Sequence, residues 1–107
     1  RYEENDLLCF GDLCYDAALR SLRGPLGSIR LSGKEGRLLE VLLRDAGTPL
    51  RRMVILSRVW GADAPVEEGN LDTYIHFLRK RLSHVGSTVS IATMRGIGYL
   101  MKETTEE

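Results

Sequence analysis

The chain has 107 residues, 43% hydrophobic and 28% charged. That is enough for one domain with a single core, and the composition is that of an ordinary soluble globular chain. No apolar run approaches the roughly 18 residues of a membrane-spanning helix, so no membrane partner is expected. Fifteen basic residues balance fifteen acidic ones, which argues against a generic nucleic-acid coat.

The charge is unevenly placed. Between Asn70 and Lys102, Arg79, Lys80, Arg81, Arg95 and Lys102 stand against the single acid Asp72. A local basic surface on a neutral protein suits targeted anion binding better than non-specific adhesion.

The chain opens on Arg1 without a signal-peptide pattern, as expected of a piece cut from a longer protein. From Leu7 to Leu31, the short apolar runs LLCF, LCY, ALRSL and SIRL are separated by Gly11-Asp12 and by Gly24-Pro25-Leu26-Gly27, the pattern of a small antiparallel meander. If Gly11-Asp12 is a two-residue turn, Leu8, Phe10, Leu13 and Tyr15 share one face, and Cys9 faces Cys14 across the strands. Such a pair can bond under oxidation, but two reduced small hydrophobes are expected of a cytosolic protein. With no CxxC and no His at ligand spacing, neither a metal site nor a cofactor is expected.

Ser32-Gly33-Lys34-Glu35 matches a capping box, so a helix begins there. Leu38, Leu39, Val41, Leu42 and Leu43 supply its buried face, and Gly47 with Pro49 marks its end. Gly36 sits in its first turn at a cost of about 1 kcal/mol relative to Ala. A second helix spans about Arg52 to Trp60, without a capping residue ahead of it. A third starts near Glu67 or Glu68, after the 61–66 loop, and runs to His84. Val89 to Thr93 and Tyr99 to Lys102 then read as the two strands of a hairpin, with Gly96 and Gly98 at its turn. Residues 104–107 are expected to fray.

In the third helix, Leu71, Ile75, Leu78 and Leu82 fall within about 60° of one another and form a stripe to be buried. The opposite face carries Thr73, His76, Phe77, Lys80 and His84, with Asn70 and Arg81 at its margin. Arg79 lies nearer the buried stripe, so an intramolecular salt bridge is its expected fate. A solvated helix has no reason to expose a phenylalanine among cations, so the polar face is expected to touch a partner. Helix, helix, long basic helix and β-hairpin is the order of a winged helix, whose third helix enters the major groove. Arg95, among glycines at the hairpin tip, suits minor-groove or phosphate contact.

LSGKEGRLLEVLLRDAG, RVWG, NLDTYIHFLRKRL and TMRGIGY, in this order, resemble the DNA-binding effector domain of OmpR/PhoB-type response regulators. The resemblance runs from about Leu7 to Lys102. It implies an α+β winged helix-turn-helix of residues 7–103: a four-stranded antiparallel N-terminal sheet, three helices and a C-terminal hairpin wing. Residues 1–6 would be the remnant of a linker to a receiver domain. The resemblance places double-stranded DNA contacts at Tyr74, His76 and Phe77 on the recognition helix and at Thr93, Arg95 and Tyr99 in the wing. Asn70, Thr73, Lys80 and Arg81 join them on geometry. It also implies RNA polymerase contact through the 61–66 loop, and pairing of two copies on DNA as a homodimer.

This chain departs from that pattern at four positions. Phe77 and Gly69 stand where members of the family use arginines. Gly36 stands where a core phenylalanine is common, and Arg51 where a capping Ser is. The missing cations leave a rival reading, a protein-interaction module with an apolar patch of Phe77, Met53 and Val54. No nucleophile elbow, metal motif or phosphate loop points to an enzyme.

Overall fold

The structure, a computed structural model, describes residues 6–62 and 68–104, with 68 and 69 described by their backbone alone. Most of the expected linker remnant, the greater part of the 61–66 loop, and the tail beyond Thr104 lie outside the described residues.

Four short strands, β1 (Leu7–Phe10), β2 (Leu13–Asp16), β3 (Ser21–Gly24) and β4 (Gly27–Arg30), form an antiparallel meander in chain order. Gly11 takes the positive φ, 59°, that the first position of a tight hairpin turn needs. With Gly11-Asp12 as that turn, Leu8 pairs with Tyr15 and Phe10 with Leu13, so the four apolar side chains share the inner face, as their alternation predicts. Leu13, Tyr15 and Leu22 are buried outright. The outer face carries Cys9 opposite Cys14, and here the expectation of two reduced thiols is corrected: the two form a disulfide. The register that makes them direct cross-strand partners also brings their sulfurs together.

Helix α1 (Gly33–Arg44) starts on the predicted capping box, with Ser32 Oγ accepting from the Glu35 amide and the Glu35 carboxylate accepting from the Ser32 amide. It stops at Arg44, ahead of the expected Gly47. That glycine (φ 87°) instead turns the chain so that its amide donates to the Met101 carbonyl at 2.8 Å. Gly36 has a packing reason to lack a side chain. A Cβ there would land on the hydroxyl of Tyr15, which enters from β2 and fills the space beside α1.

Leu50–Arg51 forms a two-residue strand, β5, ahead of α2 (Arg52–Trp60). It pairs with β7 (Gly98–Glu103), which in turn pairs with β6 (Val89–Met94). The expected hairpin is present, and β5 extends it to a three-stranded sheet with β7 in the middle. This sheet also supplies part of what the missing cap at Arg51 does not: the Arg52 amide, at the first turn of α2, donates to the Ile97 carbonyl at 3.2 Å. Gly98 must be a glycine, since a Cβ would strike the Leu50 carbonyl oxygen.

Helix α3 (Glu68–His84) lies against α1 and β6 with Leu71, Ile75, Leu78 and Leu82 at most 2% exposed. The first and third turns of the N-terminal sheet hold the segment that follows it. Leu26 N donates to the Val85 carbonyl at 2.9 Å. Asp12 accepts from Ser87 Oγ at 2.6 Å and from Thr88 N and Oγ1 at 2.9 and 3.0 Å. Partial burial pushes the Asp12 carboxyl up, but these donors outweigh it and hold the group below the ordinary carboxylate range.

Candidate nucleic-acid interface

Burying the leucine stripe turns the opposite face of α3 outward and leaves Asn70, Thr73, His76, Phe77, Lys80, Arg81 and His84 exposed. Phe77 is 39% exposed and is not a stray core residue. Its ring meets that of Tyr74 edge-on at 5.9 Å, and Tyr74 meets Trp60 of α2 in the same manner at 5.5 Å. Such edge-to-face contacts are worth about 0.5–1.5 kcal/mol each and fix ring direction. Tyr74 is thus half-buried and acts as the bracket that holds Phe77 outward.

The wing is locked to this helix by side chains of α2, α3, β6 and β7. Arg52 of α2 forms a two-pronged ion pair with Asp72 of α3, at 2.8 and 3.2 Å. The Tyr99 hydroxyl of β7 donates to the same carboxylate. The Arg52 and Arg79 guanidinium groups stand 5.9 and 5.8 Å from the Tyr99 ring. Arg79 reaches across to β6, where it donates to the Ile91 carbonyl at 3.0 and 2.6 Å and to Thr93 Oγ1 at 3.0 Å.

Arg79 is therefore spent internally, as its place on the helix predicts, with a carbonyl and a hydroxyl for partners rather than an acid. Tyr99 departs from its expected role. It is 5% exposed and its hydroxyl is spent on Asp72, so it braces the wing instead of presenting itself. Alternation with buried Met101 on the same face of the strand was a signal for this. Asp72, as the one acid of a basic segment, was the signal for an internal cation.

Arg52 and then Tyr99, through their hydrogen bonds, hold the Asp72 carboxyl below its ordinary value. A depressed carboxylate contributes stability that is complete above the unfolded pKa of about 4 and is lost as pH falls through the lower folded value. Asp72→Asn should therefore lower stability near neutral pH by at most about 1 kcal/mol, given the exposure of the pair. The difference from the parent should shrink on acidification below about pH 4. Thermal melts of both proteins across this range check it, and a difference independent of pH would show that the charge is irrelevant.

The remaining expected contacts sort by what they are already holding. Arg81 pairs with the buried Glu35 carboxylate of the α1 capping box at 3.3 Å, while its side chain stays 46% exposed. Thr93 is exposed, with its hydroxyl oxygen accepting from Arg79. Arg95 sits at the wing tip in a tight turn, where Gly96 takes φ 78° and the Ile97 amide donates to the Met94 carbonyl at 2.9 Å. Lys80 and Arg95 are the exposed cations here for which the described residues offer no partner. Helix face and wing tip each present an exposed cation, and the helix face adds an outward aromatic ring.

The chain matches the family described as "Transcriptional regulatory protein, C terminal" over residues 27–101. It is 35% identical over 101 residues to the response regulator MprA of Mycobacterium avium (strain 104), a match covering 94% of this chain and 44% of that protein. Among solved structures, the DNA-binding domain of Bacillus subtilis CssR aligns with a TM-score of 0.67 and 30% identity, covering 78% of this chain and 91% of that one. The response regulator DrrB of Thermotoga maritima, an OmpR/PhoB homolog, aligns with a TM-score of 0.75 and 31% identity, covering 91% of this chain and 44% of that one. The chain thus spans less than half the length of MprA and DrrB.

Proposed function

We propose, from the premise that the chain belongs to the OmpR/PhoB-type family of transcriptional regulatory protein C-terminal domains, that it binds double-stranded DNA sequence-specifically as the output module of a bacterial two-component regulator. The observation that carries this reading is the outward face of α3, with Phe77 and Lys80, held beside Arg95 of the wing by the Arg52–Asp72–Tyr99 brace. An α-helix fits the major groove, and a wing fixed at its side can reach the adjoining backbone or minor groove. Asn70, Thr73 and His76 complete the helix face, and Arg81 contributes charge from its margin.

In the longer protein a receiver domain would control this module in the cytoplasm. One small interface limits affinity, so two copies would pair on repeated half-sites. The 61–66 loop would meet RNA polymerase.

Titrating labelled duplex DNA at several salt concentrations tests the reading, since DNA binding weakens steeply with salt as counterions leave the phosphates. Absence of binding even at low salt would leave the protein-interaction module, for which Met53, 70% exposed on α2, is the supporting observation.

Phe77 replaces a base-reading cation with a ring that can lie on a thymine methyl. Phe77→Ala should therefore flatten the base-substitution profile at a thymine position by about 1 kcal/mol, leaving other positions alone. An unchanged profile, measured on sites selected from a random pool, would rule out this use of the ring.

A further inference from the structure

We propose that Cys9 and Cys14 form a thiol–disulfide exchange site, and that its redox state sets how firmly the link between recognition helix and wing is held; the consequence for DNA rests on the reading above. The two cysteines are the only ones in the chain, are direct partners in the β1–β2 register, and are bonded. Their side chains lie on the outer face of the sheet, opposite the face that Leu13 and Tyr15 send into the core. Cys9 is exposed, and Cys14 borders an open depression of about 280 Å³ with Leu7, Asp16 and Arg23. A structural disulfide would gain from being enclosed. An exposed one is the labile kind, and in a reducing compartment such bonds are transient and used for sensing.

The bond also closes a ring around the turn that reaches α3. Cys9 and Cys14 are five positions apart, and between them the Asp12 carboxylate receives three hydrogen bonds from Ser87 and Thr88, which join α3 to β6. At the same turn Gly11 lies against Glu103 at the end of β7, where a Cβ would come within 2.7 Å of its side chain. One short covalent ring thus touches the exit of the recognition helix and the base of the wing. Strand β1 is the edge of its sheet and is paired on one side only, so the bond adds a covalent tie to a four-residue ladder with β2.

The co-reactant is a dithiol. Its thiolate attacks the more accessible Cys9 sulfur, the S–S bond breaks, and Cys14 leaves as a thiolate that takes a proton. The second reductant thiol, deprotonated, then attacks the reductant sulfur of the mixed disulfide and releases Cys9, which is protonated in turn. Two electrons and two protons reach the protein, and the dithiol leaves as a cyclic disulfide.

The test measures the 107-residue chain oxidised and after treatment with dithiothreitol, with thiols counted in each state. Duplex affinity and amide exchange at Thr88 are the readouts. Reduction is expected to weaken binding by at least about fivefold, the lower bound of ordinary coupling between sites, and to speed Thr88 exchange. The double variant Cys9→Ser/Cys14→Ser should match the reduced protein under both conditions. Asp12→Ala should still form the bond, yet lose the redox dependence of affinity.

Equal affinity and equal exchange in the two states would overturn the proposal, as would thiols that stay free in an oxidised dithiol buffer. If neither state binds DNA, the DNA reading has failed. Thr88 exchange then decides alone: faster exchange on reduction supports the switch, and no change overturns it.

Discussion

Gly36→Phe is expected to destabilise the domain by about 3 kcal/mol, the upper end of what overpacking costs. The residue looks like a defect in the sequence, a glycine in the first turn of α1 where the family resemblance implies a core phenylalanine. The structure gives it a cause, because the Tyr15 hydroxyl occupies the place of its Cβ. Tyr15 is 1% exposed, and its burial, with Glu40 adding to it, pushes the phenol pKa up to about 12. A side chain at position 36 and the Tyr15 ring compete for one volume.

Tyr15→Ala alone should cost about 3–5 kcal/mol, as truncating a large buried aromatic does. Either single change removes a large share of a stability of about 5–15 kcal/mol. With both changes in one chain, the introduced phenylalanine can enter the space that Tyr15 vacates. The double variant should then lose less than the sum of the two singles by about 2 kcal/mol, a coupling typical of residues in contact. Urea denaturation of the parent, the two singles and the double measures this cycle. Strict additivity would mean that the two positions do not share one volume.

This exchange marks where local pattern stops informing. Ser32 with Glu35, the Gly11-Asp12 turn, and the spacing of Leu71, Ile75, Leu78 and Leu82 act within a few residues, so the elements they specify could be read directly. The same turn put Cys9 opposite Cys14, but whether two facing thiols bond depends on chemistry that spacing does not carry. The strand at Leu50–Arg51 offers two residues and hence no period. The brace on the wing joins Arg52 to Asp72 across 20 positions and Arg79 to Ile91 across 12, and Arg81 meets Glu35 across 46. A basic residue in such a chain can serve a ligand or the fold, and only three-dimensional placement separates the two uses. For that reason Tyr99 read as an exposed contact in the sequence, and the pairing of Arg81 with Glu35 went unread. Arg52 carries no local sign at all of its place beside the wing, which it holds through backbone and side chain alike.

Lys80→Ala/Arg95→Ala should lower DNA affinity about 30-fold at roughly 0.15 M salt while leaving the fold within about 0.5 kcal/mol of the parent. Both side chains are exposed and have no partner among the described residues, so neither contributes a contact that holds the domain together. Each cation placed on a phosphate releases close to one counterion, which changes the slope of log affinity against log salt by about 0.9. At roughly 0.15 M salt that release is worth about fivefold per contact, and two contacts multiply. The double variant should therefore show a slope shallower by nearly two units and a uniform loss across sequences, in contrast to the single-position effect of Phe77→Ala. Titrations of selected and scrambled duplexes over a range of salt separate the cases. A parent-like slope would mean that Lys80 and Arg95 lie off the phosphates, leaving Arg81 and His84 at the end of α3 as the charges to replace next.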